Sequence, residues 1–356
     1  MDQLLTLADA ERVAETLVSP EAWGYIAGGA GDERTVRWNR EAFSRYRLRH
    51  RVLIDVSQVS TETTALGTPI SMPALVAPTA FQLVAHEERE LGTARGASAA
   101  GTIMCLSTLA TASPAEVAEA APGAPRWLQV YVFKDRAVTD DVVVQAVEAG
   151  FSALVLTADL PVIGIRDREL RADWGDRFPE GDVPAFVAAR TRTAHDGDVL
   201  RLLDDAVEWG YVDELRERHG LPVVVKGLVT ADDARLACEH GAAGVVVSNH
   251  GGRQLDGSIA ALEALPEVVE AVDGRAEVYL DGGVRRGSDV VTALALGARA
   301  VLVGRPVLHG LAYGGAKGVE RVLEILRGET ENALALLGCI SPAAVMRAHV
   351  VLAPLR

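Results

Sequence analysis

The order of apolar runs and helical patterns predicts an α/β protein of the (β/α)8 TIM barrel class, with an N-terminal helical extension and a long loop after strand 4. Three observations lead there. Eight short runs rich in Val, Ala and Leu recur between residues 74 and 304, each followed by a helix-period pattern. Together these units fill roughly 250 residues, the size such barrels take. The first run ends in Pro78-Thr79-Ala80, whereas the competing architecture, a doubly wound open sheet, places a glycine-rich turn after its first strand.

Taken in order, residues 4–18 form an amphipathic pattern, and Pro20 suits the first turn of a second helix. The segment from Trp23 to Gly31 closes that helix in glycines, a C-cap signal; with no strand before it, it resembles a phosphate loop only weakly. Residues 45–51 read as a basic extended connector, and the alternation over 52–72 as a small hairpin. The eight strands are expected at Ala74–Ala77, Ile103–Leu106, Trp127–Tyr131, Ala153–Thr157, Val223–Lys226, Gly244–Ser248, Val278–Asp281 and Ala300–Gly304. Helices are expected at 87–100, 114–121, 136–149, 207–219, 230–240, 258–272, 286–296 and 306–327. Caps such as Ser113-Pro114 and Thr230, and terminal glycines at 150, 220 and 241, mark several of their ends. The gap from 160 to 206 is too long for an ordinary βα loop and contains Trp174 and Phe178; it is expected to be a lid over the barrel mouth. The chain is therefore expected to be one domain: N-terminal helices and hairpin over 1–72, barrel over 73–328, and C-terminal helices over 329–356.

Composition narrows the function. A hydrophobic fraction of 49% and 34 glycines permit a sizeable core with many tight turns. A net charge of −14 argues against a nucleic-acid surface or a polybasic membrane anchor. The three cysteines, Cys105, Cys238 and Cys339, form no CxxC pair and read as buried thiols in a reducing compartment. The N-terminus lacks the basic and apolar regions of a signal peptide, and no apolar run is long enough to span a bilayer. A cytoplasmic protein without a metal site is expected.

In a barrel, the C-terminal ends of all strands converge on one face, so residues far apart in sequence become neighbours. Those ends carry Pro78, Thr79 and Ala80; Ser107 and Thr108; Gln129 and Tyr131; Thr157 and Asp159; Lys226; Ser248 and His250; Asp281; and Gly304 with Arg305. Lys226 closes the run Val223-Val224-Val225, and a buried ammonium needs a partner. A Schiff-base lysine, a cation facing substrate and a cation facing an electron-rich cofactor all suit it. The turn Asp281-Gly282-Gly283-Val284-Arg285 and the pair Gly304-Arg305 follow strands 7 and 8, where barrels commonly bind phosphate through backbone N–H groups. Arg285 and Arg305 strengthen that site. A phosphate site beside Gln129, Thr157 and Lys226 points to a phosphorylated ring cofactor, whose polar edge those side chains can bond and whose reduced form Lys226 can stabilise. A second set, Tyr25, Tyr131, Arg166, His250 and Arg253, suits an anionic substrate that must lose a proton, with two arginines for a carboxylate. Asp159 can stabilise the imidazolium of His250.

The motifs Ala77-Pro78-Thr79-Ala80, Gln129-Val130-Tyr131, Leu156-Thr157-Ala158-Asp159, Val225-Lys226-Gly227, Ser248-Asn249-His250-Gly251-Gly252-Arg253-Gln254-Leu255-Asp256 and Asp281-Gly282-Gly283-Val284-Arg285-Arg286-Gly287 resemble the FMN-dependent L-2-hydroxy acid oxidase and dehydrogenase family. The resemblance runs in order from about Tyr25 to the C-terminus. It implies that His250 takes a proton from the substrate with Asp159 as its partner, that Arg166 and Arg253 hold the carboxylate with Tyr25, and that Tyr131 bonds the hydroxyl oxygen. It implies FMN held by residues 78–80, Ser107, Gln129, Thr157, Lys226 and Ser248 at the ring and ribityl, and by Asp281 to Arg285 with Gly304 and Arg305 at the phosphate end. Two departures favour a bulky apolar substrate such as mandelate or 4-hydroxymandelate. Leu109 stands where glycolate oxidase has Trp, and Ile165 replaces an Arg that often precedes Arg166. No haem-binding extension or membrane insert is evident, and Ala80 replaces a Gly of the membrane-bound mandelate dehydrogenase; both favour dioxygen or a soluble acceptor. The family is often tetrameric, so a homo-oligomer is expected. The competing possibilities are a short aliphatic substrate such as lactate or glycolate, another electron acceptor, oxidative decarboxylation, a non-redox isomerase on the same barrel, and a non-catalytic flavin-binding protein.

Overall fold

In the computed structural model, residues 4–172 and 202–353 are described. The eight apolar runs form strands β1 (Ala74–Val76), β2 (Met104–Leu106), β3 (Arg126–Val130), β4 (Leu154–Thr157), β5 (Val223–Leu228), β6 (Gly244–Val247), β7 (Glu277–Asp281) and β8 (Ala300–Val303). Every neighbouring pair is parallel, and β8 pairs with β1, so the sheet closes into a barrel. Helices follow the strands as the sequence predicts, most within three residues of the expected bounds.

Alternation along each strand sorts the side chains into two environments. Leu75, Ile103, Cys105, Trp127, Ala153, Val155, Val224, Val246, Tyr279, Ala300 and Leu302 pack on one another as a buried cluster that also takes in Ala65 and Ile70. Those two come from the hairpin Thr63–Ala65 and Thr68–Ile70, which meets the interior at the N-terminal end of the strands. Glu277 ties it there by accepting from the Leu66 amide at 2.9 Å and from the Tyr279 hydroxyl. Inside, Trp127 and Tyr279 meet edge to face with ring centroids 5.6 Å apart. The alternate residues, among them Val76, Leu106, Val130, Leu156, Val225, Val247, Leu280 and Val303, pack in the larger cluster shared with the helices.

The same parity continued towards the C-terminal rim selects Thr79, Ser107, Gln129, Tyr131, Thr157, Lys226, Ser248, Asp281 and Gly304. The barrel interior is therefore apolar at the floor and polar at the rim, and the polar layer is the one the sequence singles out.

Several elements differ from expectation. The helix expected at 306–327 runs from Arg305 to Leu337, with its backbone broken at Gly314 and Gly315. Gly338, at φ 78°, ends it. The C-terminal helices expected over 329–356 are therefore only the end of that helix. Two 3-10 turns, Pro342–Ala344 and Arg347–His349, and a strand, Val350–Leu352, follow it. That strand pairs antiparallel with Tyr46–Leu48, inside the segment expected to be a connector. The helix Arg34–Ser44 was not anticipated because its capping is not local. Glu33 at its start makes no side-chain cap, whereas Asp256 accepts from the Thr35 amide at 2.9 Å across 221 residues. Of the expected lid, residues 160–172 and 202–206 are seen, including a short helix at Asp167–Arg171. The remainder, with Trp174 and Phe178, lies outside the described residues. No helix among the described residues is long and apolar enough to cross a membrane.

Candidate active site

A cavity of about 620 Å³ opens at the C-terminal rim. Its lining includes Tyr25, Pro78, Thr79, Ala80, Ser107, Gln129, Tyr131, Thr157, Arg166, Lys226, His250, Arg253, Asp281, Gly282, Gly283, Arg285, Gly304 and Arg305. The structure thus brings nearly all the residues singled out from the sequence to one place. Ser248 and Asp159 stand directly behind that wall, bonded to Lys226 and His250.

His250 follows β6 and adopts φ 59°, a left-handed conformation that is uncommon for a residue with a β-carbon. Its amide donates to Ser248 Oγ at 3.0 Å, which holds the turn, and its Nδ1 lies 2.9 Å from Asp159 Oδ1. Nε2 is left facing the cavity, 3.5 Å from the Tyr131 hydroxyl. Burial lowers the pKa of His250 below the ordinary imidazole value, against the opposing pull of Asp159. Burial would raise Asp159, but the charges of His250 and Lys226 outweigh it and hold the carboxyl below its usual range. The pair at neutral pH is therefore a neutral imidazole on an ionised carboxylate, the state a general base needs. Asp159 itself is held close because Gly227 has no side chain: a β-carbon there would lie 2.6 Å from the Asp159 β-carbon.

Below this pair lies a continuous polar network. Lys226 Nζ donates to Ser248 Oγ at 2.9 Å and pairs with Asp281 Oδ2 at 3.0 Å. Burial opposes its charge, but Asp281 and Asp159 outweigh that and raise its pKa, so Lys226 is an ammonium ion. Gln129 Oε1 accepts from Ser107 Oγ and from the Thr108 amide, both at 3.1 Å, and Gln129 Nε2 donates to Thr157 Oγ1 at 3.0 Å. Further round, Gly282 and Gly283 line the cavity as bare backbone at φ 90° and 86°. Beside them, Asp281 Oδ1 and Arg285 Nε are buried without a hydrogen-bond partner, and burial pushes Arg285 down to about 10. Unpaired buried polar atoms next to open backbone are what a phosphate and a polyol chain satisfy, so the donor set fits FMN. Arg305 is more committed than its place in the sequence suggests. It donates to the carbonyls of Ile26, Gly251 and Gly28 at 3.1, 2.9 and 2.7 Å, and joins the N-terminal segment to the His250 turn.

Arg253 shares the Gly28 carbonyl with Arg305 and, with Arg166, makes a second cationic group. Arg253 Nη1 donates to the carbonyls of Tyr25 and Gly28 at 2.7 and 3.0 Å, and its guanidinium lies 4.9 Å from the Tyr25 ring centroid. Arg166 Nε donates to the Arg253 carbonyl at 3.1 Å. The Tyr25 hydroxyl donates to the Ala80 carbonyl at 3.2 Å. Around them the lining is apolar, with Phe81, Leu109, Leu160, Ile163, Ile165 and Leu170.

Three residues here have roles that the sequence reading did not assign. Thr108 donates from Oγ1 to the Gln129 carbonyl and accepts from the Tyr131 amide at 3.0 Å. Asn249 exchanges two amide hydrogen bonds with Asn39, at 2.8 and 2.9 Å, which anchors the His250 turn to the helix Arg34–Ser44. Both neighbour recognised motif residues, which was the available signal. Glu169, which bridges the two arginines, had none, because it sits in the charge run Asp167-Arg168-Glu169.

Comparisons with known proteins give the chain's family and fold. The profile of the FMN-dependent dehydrogenase family matches residues 14–352. An L-lactate oxidase from Nostoc sp. is 47% identical over 348 residues, 94% of each chain. Glycolate oxidase 3 from Arabidopsis thaliana is 46% identical over 356 residues, 98% of this chain and 96% of its own. A crystal structure of mandelate oxidase with (S)-4-hydroxymandelic acid superimposes with a TM-score of 0.93 at 40% identity, covering 99% of this chain and all of that one.

Proposed function

The chain belongs to the FMN-dependent dehydrogenase family, and from that premise we propose that it oxidises an (S)-2-hydroxy acid with an apolar, aromatic side chain to the 2-oxo acid, passing the electrons to dioxygen to give hydrogen peroxide. The observation that carries the reading is His250: a neutral imidazole backed by Asp159, with Nε2 facing a cavity that the guanidinium groups of Arg166 and Arg253 also line. FMN bound here would supply the acceptor for the electron pair released at the substrate's C2. Lys226, Ser248, Gln129, Thr157 and Ser107, with residues 78–80, would hold its ring and ribityl; Asp281 to Arg285, with Gly304 and Arg305, would hold its phosphate end.

The protein's own residues do the rest. Arg166 and Arg253 take the substrate carboxylate, and because both are fixed to backbone carbonyls they fix C2 in turn. Tyr131 bonds the hydroxyl oxygen and Nε2 of His250 takes a proton from the substrate. Asp159 stabilises the imidazolium that results. The ring of apolar side chains, Phe81, Leu109, Leu160, Ile163 and Ile165, excludes water and receives the substrate's side chain. The solved mandelate oxidase structures support the aromatic substrate. The lactate and glycolate oxidase relatives favour a second reading, a short aliphatic acid.

Anaerobic mixing of the holoenzyme with (S)-mandelate, (S)-4-hydroxymandelate, (S)-lactate and glycolate, followed by air and peroxide assay, separates these readings. Fastest flavin bleaching by the aromatic acids, with peroxide on reoxidation, is the expected result. Fastest bleaching by lactate or glycolate supports the second reading, and no bleaching by any acid contradicts both.

A further inference from the structure

The two arginines assigned to the substrate carboxylate already share a carboxylate of the chain's own. Glu169 Oε1 lies 2.7 Å from Arg253 Nη2 and Oε2 lies 3.4 Å from Arg166 Nη1. All three side chains line the cavity and are 10–15% exposed, so solvent screens them little. Neither arginine depends on Glu169 for its place. Arg253 is held by the carbonyls of Tyr25 and Gly28, and Arg166 by the Arg253 carbonyl and by Gln254 Oε1 at 3.3 Å. Glu169 is placed independently as well. Its short helix is fastened by Arg168, which pairs with Glu33 at 2.6 Å.

Two guanidinium charges and one carboxylate leave the Arg166–Arg253–Glu169 cluster one net positive charge; Arg305, which shares the Gly28 carbonyl with Arg253, stands beyond it and is committed to the carbonyls of Ile26, Gly251 and Gly28. A substrate with one carboxylate neutralises the cluster. A substrate with two places the second anion in a partly dry site that already holds, between the same two arginines, the like-charged Glu169. We propose that Glu169 is a specificity-determining residue: as the fixed counter-charge between Arg166 and Arg253, it limits the site to monocarboxylic 2-hydroxy acids and repels dicarboxylic ones. This rests on the reading that the site oxidises 2-hydroxy acids. A neutral residue at 169 leaves two uncompensated guanidinium charges, which is the charge a dianion requires.

The test compares holoenzymes of the wild type, Glu169→Gln and Glu169→Ala. Rates of anaerobic flavin reduction are measured with (S)-mandelate, (S)-lactate and (S)-malate, which share the reacting centre but differ in that malate carries a second carboxylate. Glu169→Gln is expected to raise kcat/KM for malate, relative to the better monocarboxylic acid, by at least about tenfold, chiefly through KM. Glu169→Ala, which removes the charge without leaving an amide, must move the ratio the same way, and Glu169→Asp must hold it near the wild-type value. An unchanged ratio in either neutral variant with flavin bound, or loss of flavin from both, overturns the proposal while wild-type bleaching upholds the functional reading. A wild type that bleaches with none of the three acids overturns both.

Discussion

At the scale of single residues, the site is an arrangement of charges set by burial. The His250 imidazole is kept neutral because burial lowers its pKa, and Asp159 partly offsets that. The base is active when unprotonated, so kcat/KM should fall as pH drops through the lowered His250 pKa, with an acid limb below the ordinary imidazole value of about 6.5. Asp159→Asn removes the charge that raises His250, so the acid limb should move to still lower pH. The rate at the plateau should fall by about 10²-fold, since the imidazolium loses its partner. A pH profile of anaerobic flavin reduction checks both, and an acid limb that moves upward would contradict the pairing. His309 shows the same physics away from the chemistry. Both its ring nitrogens are buried without a partner, and burial, with Arg285 next in effect, pushes its pKa down to about 3. Between pH 6.5 and 3 the unfolded chain binds a proton there that the folded chain refuses, so stability falls as pH drops, by about 1.4 kcal/mol per unit. His309 packs against Trp23, the rings tilted with centroids 5.5 Å apart, and His309→Phe keeps a ring there. The variant should lose about 2 kcal/mol less than wild type between pH 7 and pH 5, measured by urea unfolding at both.

At the scale of elements, what was legible depended on whether the cause was local. The barrel strands could be read because each is a short apolar run followed by turn or polar residues, and period-2 parity then selects Lys226, Ser248 and Asp281 as inward. The helix Arg34–Ser44 could not, since its cap, Asp256, comes from the far end of the chain. Nor could the pairing of Tyr46–Leu48 with Val350–Leu352, which joins segments about three hundred residues apart. The glycine after Lys226 lies between these cases. Its motif was recognised, but its purpose, room for Asp159, needs coordinates. At φ 113° and with its missing β-carbon 2.6 Å from Asp159, Gly227 cannot be enlarged without moving that carboxylate. Gly227→Ala should lower kcat at least about tenfold and cost about 1–3 kcal/mol of stability, with FMN still bound. A variant with wild-type kcat would show that the Asp159 position is not critical.

At the scale of the whole molecule, a closed parallel sheet places groups separated by more than two hundred residues along one rim, with an acidic exterior and a cationic interior mouth. The grouping of the rim residues was legible because that convergence follows from strand count; Tyr25 and Arg166, which lie off the strands, do not follow from it. The site's charge balance was not legible, because Glu169 resembles any other member of a solvated charge run until its neighbours in space are known. The account turns on His250 as the group that takes the substrate's proton. Single-turnover flavin reduction by (S)-mandelate under anaerobic conditions, with wild type and His250→Ala side by side, tests it most directly. The variant should keep its yellow FMN spectrum and bleach about 10²–10⁴-fold more slowly; bleaching at the wild-type rate would remove His250 from the chemistry.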